Sequence, residues 1–217
     1  MPPPVIIQPK KGHTSTAIFL HGLGDQGDGW SSVFEHEIRI DTMKYICPSS
    51  DSRPVTLNMG MRMPAWFDLY GLSAESQEDE AGIQAATQLV HNMLDQEIAA
   101  GIPANKIILG GFSMGGALAL YAGLTYPQKL AGIVGLSSFL VQRNKIPGSH
   151  VANLETPIFL GHGTDDFLVP LTFGRLTEGL IKAFNKNVSL RVYPGMGHSS
   201  SPAELSDVKK FMMQNTA

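Results

Sequence analysis

Short apolar runs recur along the chain at 17–20, 45–47, 107–109, 132–136, 157–160 and 188–193. Those without polar alternation fit strands buried on both faces. Between them, near 30–37, 80–100, 114–125, 171–185 and 202–214, lie longer stretches with helical character. This alternation predicts an α/β fold in which a mostly parallel sheet carries helices on both faces. The clearest helix, 80–100, places Ile83, Thr87, Val90, Leu94 and Ile98 at spacings of three and four, with Ser76 and Asp79 as candidates for its capped end. It reads as structure, not chemistry.

No repeat, low-complexity tract or charge block divides the sequence, so a single domain over 1–217 is expected. The longest segment without a clear period, 48–77, is rich in Pro, Gly, Ser and Met. A loop that long in a compact domain is usually a lid or a binding loop. Met59, Met61, Met63, Trp66, Phe67, Leu69, Tyr70 and Leu72 give it the character of a cover over something apolar.

Composition narrows the partners. With 43% hydrophobic and 16% charged residues and a formal net charge of −3, the chain offers no electrostatic reason to bind nucleic acid or an anionic membrane. Cys47 is the sole cysteine, which precludes an internal disulfide or a thiolate zinc site and fits a reducing compartment; a small buried hydrophobe is its expected role. The start of the sequence lacks a basic segment followed by an apolar one, and no stretch approaches the ~18 apolar residues of a membrane span. A cytoplasmic protein is expected.

Candidate chemistry begins at Gly111-Phe112-Ser113-Met114-Gly115, where an apolar run meets the helical stretch 114–125. A G-x-S-x-G motif at a strand-to-helix turn exposes a strained serine, and its small neighbours let strand and helix approach. Serine needs a general base held by a carboxylate. Of seven histidines only His198 follows every plausible acid, in the loop Gly195-Met196-Gly197-His198-Ser199-Ser200. Glu155, Asp165, Asp166 and Glu178 lie between Ser113 and His198; Glu178 falls in a helix and Glu155 in the approach to a strand. Spacing alone leaves Asp165 and Asp166 open. Of the two backbone donors an oxyanion requires, Met114 supplies one as the residue after the nucleophile, and Leu23 in His21-Gly22-Leu23-Gly24-Asp25 is the candidate for the other. His21 and His162 are expected to orient backbone or neighbours, not to exchange protons.

These motifs resemble the acyl-protein thioesterase/lysophospholipase family of small cytosolic α/β-hydrolases. The resemblance runs over 17–211 and rests on Phe19-Leu20-His21-Gly22-Leu23-Gly24-Asp25, Trp66-Phe67-Asp68, Gly71-Leu72-Ser73, Gly110-Gly111-Phe112-Ser113, Leu168-Val169-Pro170 and Gly197-His198-Ser199-Ser200, among others. It implies a triad of Ser113, Asp166 and His198, oxyanion donors at Leu23 and Met114, and an acyl channel near Leu69, Leu72, Phe139 and Leu168. It further implies hydrolysis of fatty-acyl thioesters or esters, foremost protein depalmitoylation with lysophospholipase activity beside it, without metal or organic cofactor. S-acylated proteins or lysophospholipids would be the substrates, met in transient contact with a membrane surface by a monomer or weak homodimer. The departures are Met114 where glutamine is usual, Pro48-Ser49-Ser50-Asp51 in place of Pro-His-Ala-Pro, and Asp28 where histidine is common. A short-chain carboxylesterase and a non-catalytic acyl-binding protein are the alternatives.

Overall fold

The computed structural model describes residues 2–73 and 76–217. Its elements run β1 (Val5–Ile7), β2 (Ser15–Leu20), α1 (Gly27–His36), β3 (Met43–Cys47), β4 (Ser52–Val55), β5 (Met61–Pro64), α2 (Glu80–Ala99), β6 (Ile107–Phe112), α3 (Met114–Thr125), β7 (Gly132–Leu136), β8 (Ile158–Gly163), α4 (Leu171–Lys182), β9 (Val188–Tyr193) and α5 (Pro202–Thr216). Seven strands form one sheet in the order β1-β3-β2-β6-β7-β8-β9. All neighbours are parallel except β1, which pairs antiparallel with β3 at the edge.

The apolar runs are buried because each strand feeds two cores. Ile18, Leu20, Ile107, Leu109, Ile133, Ile158 and Leu160 pack on one face with α2, α3 and α4. Ala17, Phe19, Ile108, Val134 and Phe159 alternate with them and pack on the other face with α1 and α5. Fully burying one such aliphatic side chain contributes about 1.5–3 kcal/mol, so both faces are strongly specified. The two edge strands, β1 and β9, show mixed exposure along their lengths.

Strand order also fixes where the loops meet. From β2 the chain winds outward through β3 toward one edge, then returns at β6 and winds through β7, β8 and β9 toward the other. The order therefore reverses between β2 and β6, and the loops leaving the carboxyl ends of these neighbours open the crevice where ligands bind in open α/β sheets.

Three expectations need correction. The segment 48–77 is not irregular throughout: β4 and β5 pair as an antiparallel hairpin, Ser52 with Pro64 through Val55 with Met61. Met59 at φ 54° and Gly60 at φ 75° turn its tip. The apolar residues of the segment divide, for Trp66 and Phe67 are core while Met59, Met61 and Tyr70 are exposed. The cap of α2 is Asp79 alone, whose Oδ1 accepts from Gly82 N–H at 2.9 Å. Ser76 instead accepts from Ser73 N–H through its Oγ at 3.1 Å, because it lies one turn too early to reach the helix. Finally, the 171–185 stretch stays helical only to Lys182.

Candidate active site

Ser113 stands between β6 and α3 at φ 52°, ψ −120°, a conformation that costs a non-glycine residue of order 1–3 kcal/mol. Its surroundings hold it there. The Ser113 N–H donates to Leu136 O at 2.8 Å, and its carbonyl accepts from Ala117 N–H at 2.9 Å and Ser138 Oγ at 2.9 Å. The flanking glycines are obligatory: a Cβ on Gly111 would lie 2.3 Å from Gly115 O, and one on Gly115 would lie 2.3 Å from Leu20 O. Strand and helix backbones touch at this turn.

Asp166 lies in the loop after β8 and is buried. Its Oδ1 accepts from Val169 N–H at 2.8 Å and Leu168 N–H at 3.1 Å, and its Oδ2 meets His198 Nδ1 at 2.8 Å. Asp165, its neighbour, is exposed and engages Thr164 Oγ1. His162 Nε2 sits 3.6 Å from Asp166 Oδ2 but bonds Val169 O at 2.7 Å, and burial lowers its pKa. It thus braces the loop.

His198, in the loop after β9, packs its ring against Phe112 with centroids 4.8 Å apart. Phe112 immediately precedes Ser113, so the imidazole is brought to the serine turn while its Nδ1 is committed to Asp166. No hydrogen bond joins His198 Nε2 to Ser113 Oγ among the described residues; such contacts are often long without substrate and tighten when it binds.

The oxyanion candidates lie beside the serine. A Cβ on Gly22 would be 3.4 Å from Ser113 Cβ, which brings the loop after β2 against the turn. Met114 opens α3, where the first N–H groups of a helix have no partner within it and the dipole favours negative charge. The arrangement can deprotonate a hydroxyl and receive a developing oxyanion.

A cavity of about 400 Å³ lies under the segment after the hairpin, within the range of small-molecule sites. Phe67, Leu69, Leu72, Ile83 and Phe139 contribute apolar wall, and Phe173 closes on Phe139. Leu168 does not line it: the turn around Asp166 aims Leu168 outward, 66% exposed, beside Phe167 at 90%. Two supports of the serine were not singled out from the sequence: Phe112 fills a variable position of the G-x-S-x-G motif at the end of β6, and Ser138 lies two residues past β7 with no motif of its own. Among the described residues no cluster of three His, Cys, Asp or Glu could hold a metal ion, and no helix is long and apolar enough to cross a membrane.

The family model of phospholipases and carboxylesterases matches residues 1–216. The chain belongs to this family. Among its relatives, acyl-protein thioesterase 1 of Neurospora crassa is 42% identical over 224 residues, covering 98% of this chain and 91% of the relative. Acyl-protein thioesterase 1 of Schizosaccharomyces pombe is 44% identical over 213 residues, covering 95% and 93%. The crystal structure of Zea mays acyl-protein thioesterase 2 superposes with a TM-score of 0.89 at 33% identity and covers 99% of each chain. The sheet order and two-sided helical cover are those of an α/β-hydrolase.

Proposed function

We propose that the chain is a serine hydrolase acting on fatty-acyl thioesters and esters, an acyl-protein thioesterase with lysophospholipase activity beside it. His198, fixed in one tautomer by Asp166, takes the proton of Ser113 as its Oγ attacks the acyl carbon. The N–H groups of Leu23 and Met114 receive the oxyanion, and losing one such donor typically costs ~10²–10³ in rate. The protein thiol or lysolipid alcohol leaves with the proton from His198, and water then hydrolyses the acyl-serine by the same steps. The carrying observation is the Asp166–His198 pair at 2.8 Å, its imidazole packed at a tilt against Phe112, the residue before a serine held at positive φ.

The cavity bearing Leu69, Leu72 and Phe139 would take the acyl chain. The names of the fungal and maize relatives support S-acylated proteins as substrates. We further infer one working domain over 1–217 and a cytoplasmic enzyme, consistent with a single cysteine that burial makes a very weak acid, its pKa pushed up to about 12. The test is turnover of p-nitrophenyl esters of rising chain length. Each buried methylene contributes about 0.8 kcal/mol, so kcat/KM should climb severalfold per added carbon until the cavity is filled, and Ser113→Ala should abolish it. A maximum at acetate would make the enzyme a short-chain carboxylesterase, and turnover unchanged in Ser113→Ala would remove the nucleophile.

A further inference from the structure

His21 follows β2 and is fully buried, and among the described residues it makes no hydrogen bond to Ser113, Asp166 or His198. Its Nε2 accepts the Ser50 N–H at 3.0 Å. A backbone amide can only donate, so this nitrogen bears the lone pair and the proton sits on Nδ1. Nδ1 lies 2.6 Å from Gly22 O and donates to it. Burial lowers the histidine's pKa, which keeps the ring in this neutral form.

The rest of the loop is tied as well. His21 O accepts Trp66 Nε1–H at 2.9 Å, Gly24 N–H donates to Pro64 O at 2.9 Å, and Asp25 N–H closes the turn on Gly22 O at 3.2 Å. The Leu23 N–H alone makes no hydrogen bond among the described residues of this turn from Leu23 to Asp25. Gly22 C=O and Leu23 N–H belong to one planar trans peptide and point in opposite directions. A carbonyl held toward the imidazole therefore aims the N–H away from it, on a loop that touches Ser113.

We propose that His21 is a positioning residue that presets the Leu23 N–H as an oxyanion donor by anchoring the Gly22 carbonyl, with Ser50 N–H fixing the ring. The proposal rests on the serine-hydrolase reading and deepens it. Without the imidazole only the longer bond from Asp25 N–H, at 3.2 Å, holds Gly22 O, and the peptide is freer to turn its carbonyl toward the developing negative charge. The loss then falls on the transition state and leaves ground-state binding in place.

The test compares His21→Ala, His21→Asn and His21→Gln with the native enzyme by ester kinetics and by the rate of fluorophosphonate labelling. Asparagine places a donor where Nδ1 stands, whereas glutamine reaches toward the position of Nε2. His21→Ala should lower kcat by about 10–100-fold with KM within about twofold, part of the cost of losing an oxyanion donor outright, and labelling should slow in step. His21→Asn should recover most of both, and His21→Gln should not. Equal rates in the Asn and Gln variants, a loss confined to KM, or native rates in His21→Ala would overturn the proposal. If His21→Ala does not fold, the Asn and Gln pair, matched by melting temperature, decides it alone. A native enzyme that fluorophosphonate does not label would instead overturn the serine-hydrolase reading beneath it.

Discussion

Glu204 and Asp166 show how differently two buried carboxyls can be treated. Asp166 spends its oxygens on two backbone amides and one imidazole. Glu204, equally inaccessible in the first turn of α5, has no hydrogen-bond partner for either oxygen among the described residues and packs on the bare α-carbon of Gly161, where a Cβ would lie 2.2 Å from its Oε1. Ser201 caps the helix by accepting from the Glu204 N–H at 3.3 Å, but the carboxyl turns inward instead of completing a capping box. Burial pushes its pKa up to about 8. The unfolded chain ionises this group from its ordinary value of 4.5 upward while the native state keeps the proton to about 8, so its contribution is full below that ordinary value and falls away as pH rises through the window. Each unit is worth about 1.4 kcal/mol. Glu204→Gln cannot ionise, and between about pH 5 and about pH 8 its melting temperature should gain roughly 5–10 °C on that of the native protein. Melting curves that keep a constant offset across that range would show that Glu204 is not held neutral.

Elements set the geometry that single residues exploit, and Asp79 joins three of them. Its Oδ1 caps α2 through Gly82 N–H, its Oδ2 accepts from Asp68 N–H at 2.8 Å, and Arg53 of β4 approaches Oδ2 to 3.7 Å. One side chain thus ties the hairpin and the segment after it to the helix that walls the cavity. Asp79→Ala should destabilise the protein by about 1–2 kcal/mol, the scale of a lost helix cap. Because Asp68 and Asp79 both line the cavity, KM for long-chain esters should rise more than KM for acetate esters. Equal effects on both would separate this wall from substrate binding. The hairpin itself was not legible in the sequence: β4 and β5 have four residues each, carry prolines, and show no alternation strong enough to stand out. The three residues of β1 are shorter still and take their place only by pairing with β3. The strands that feed both cores were legible because burial on two faces leaves an unbroken apolar run.

For the molecule as a whole, the order of strands is what turns scattered motifs into a site. Ser113, Asp166 and His198 follow β6, β8 and β9, parallel strands of one sheet, so their loops leave at the same edge. Spacing supplied the order of these residues but left Asp165 and Asp166 open, with only the family resemblance pointing to Asp166, because adjacent residues differ only in which way the loop turns them: Asp166 faces inward to His198, and Asp165 faces solvent. Leu168 went the opposite way, apolar in sequence yet turned outward by the same loop. We hold that this convergence activates Ser113. The most direct measurement is the rate at which a fluorophosphonate labels Ser113, mapped by mass spectrometry, in the native enzyme and in Asp166→Asn and Asp165→Asn. One label on Ser113 is expected, slowed by about 10³–10⁴-fold in Asp166→Asn and unchanged in Asp165→Asn. Labelling at another residue, or a rate that Asp166→Asn leaves intact, would contradict it.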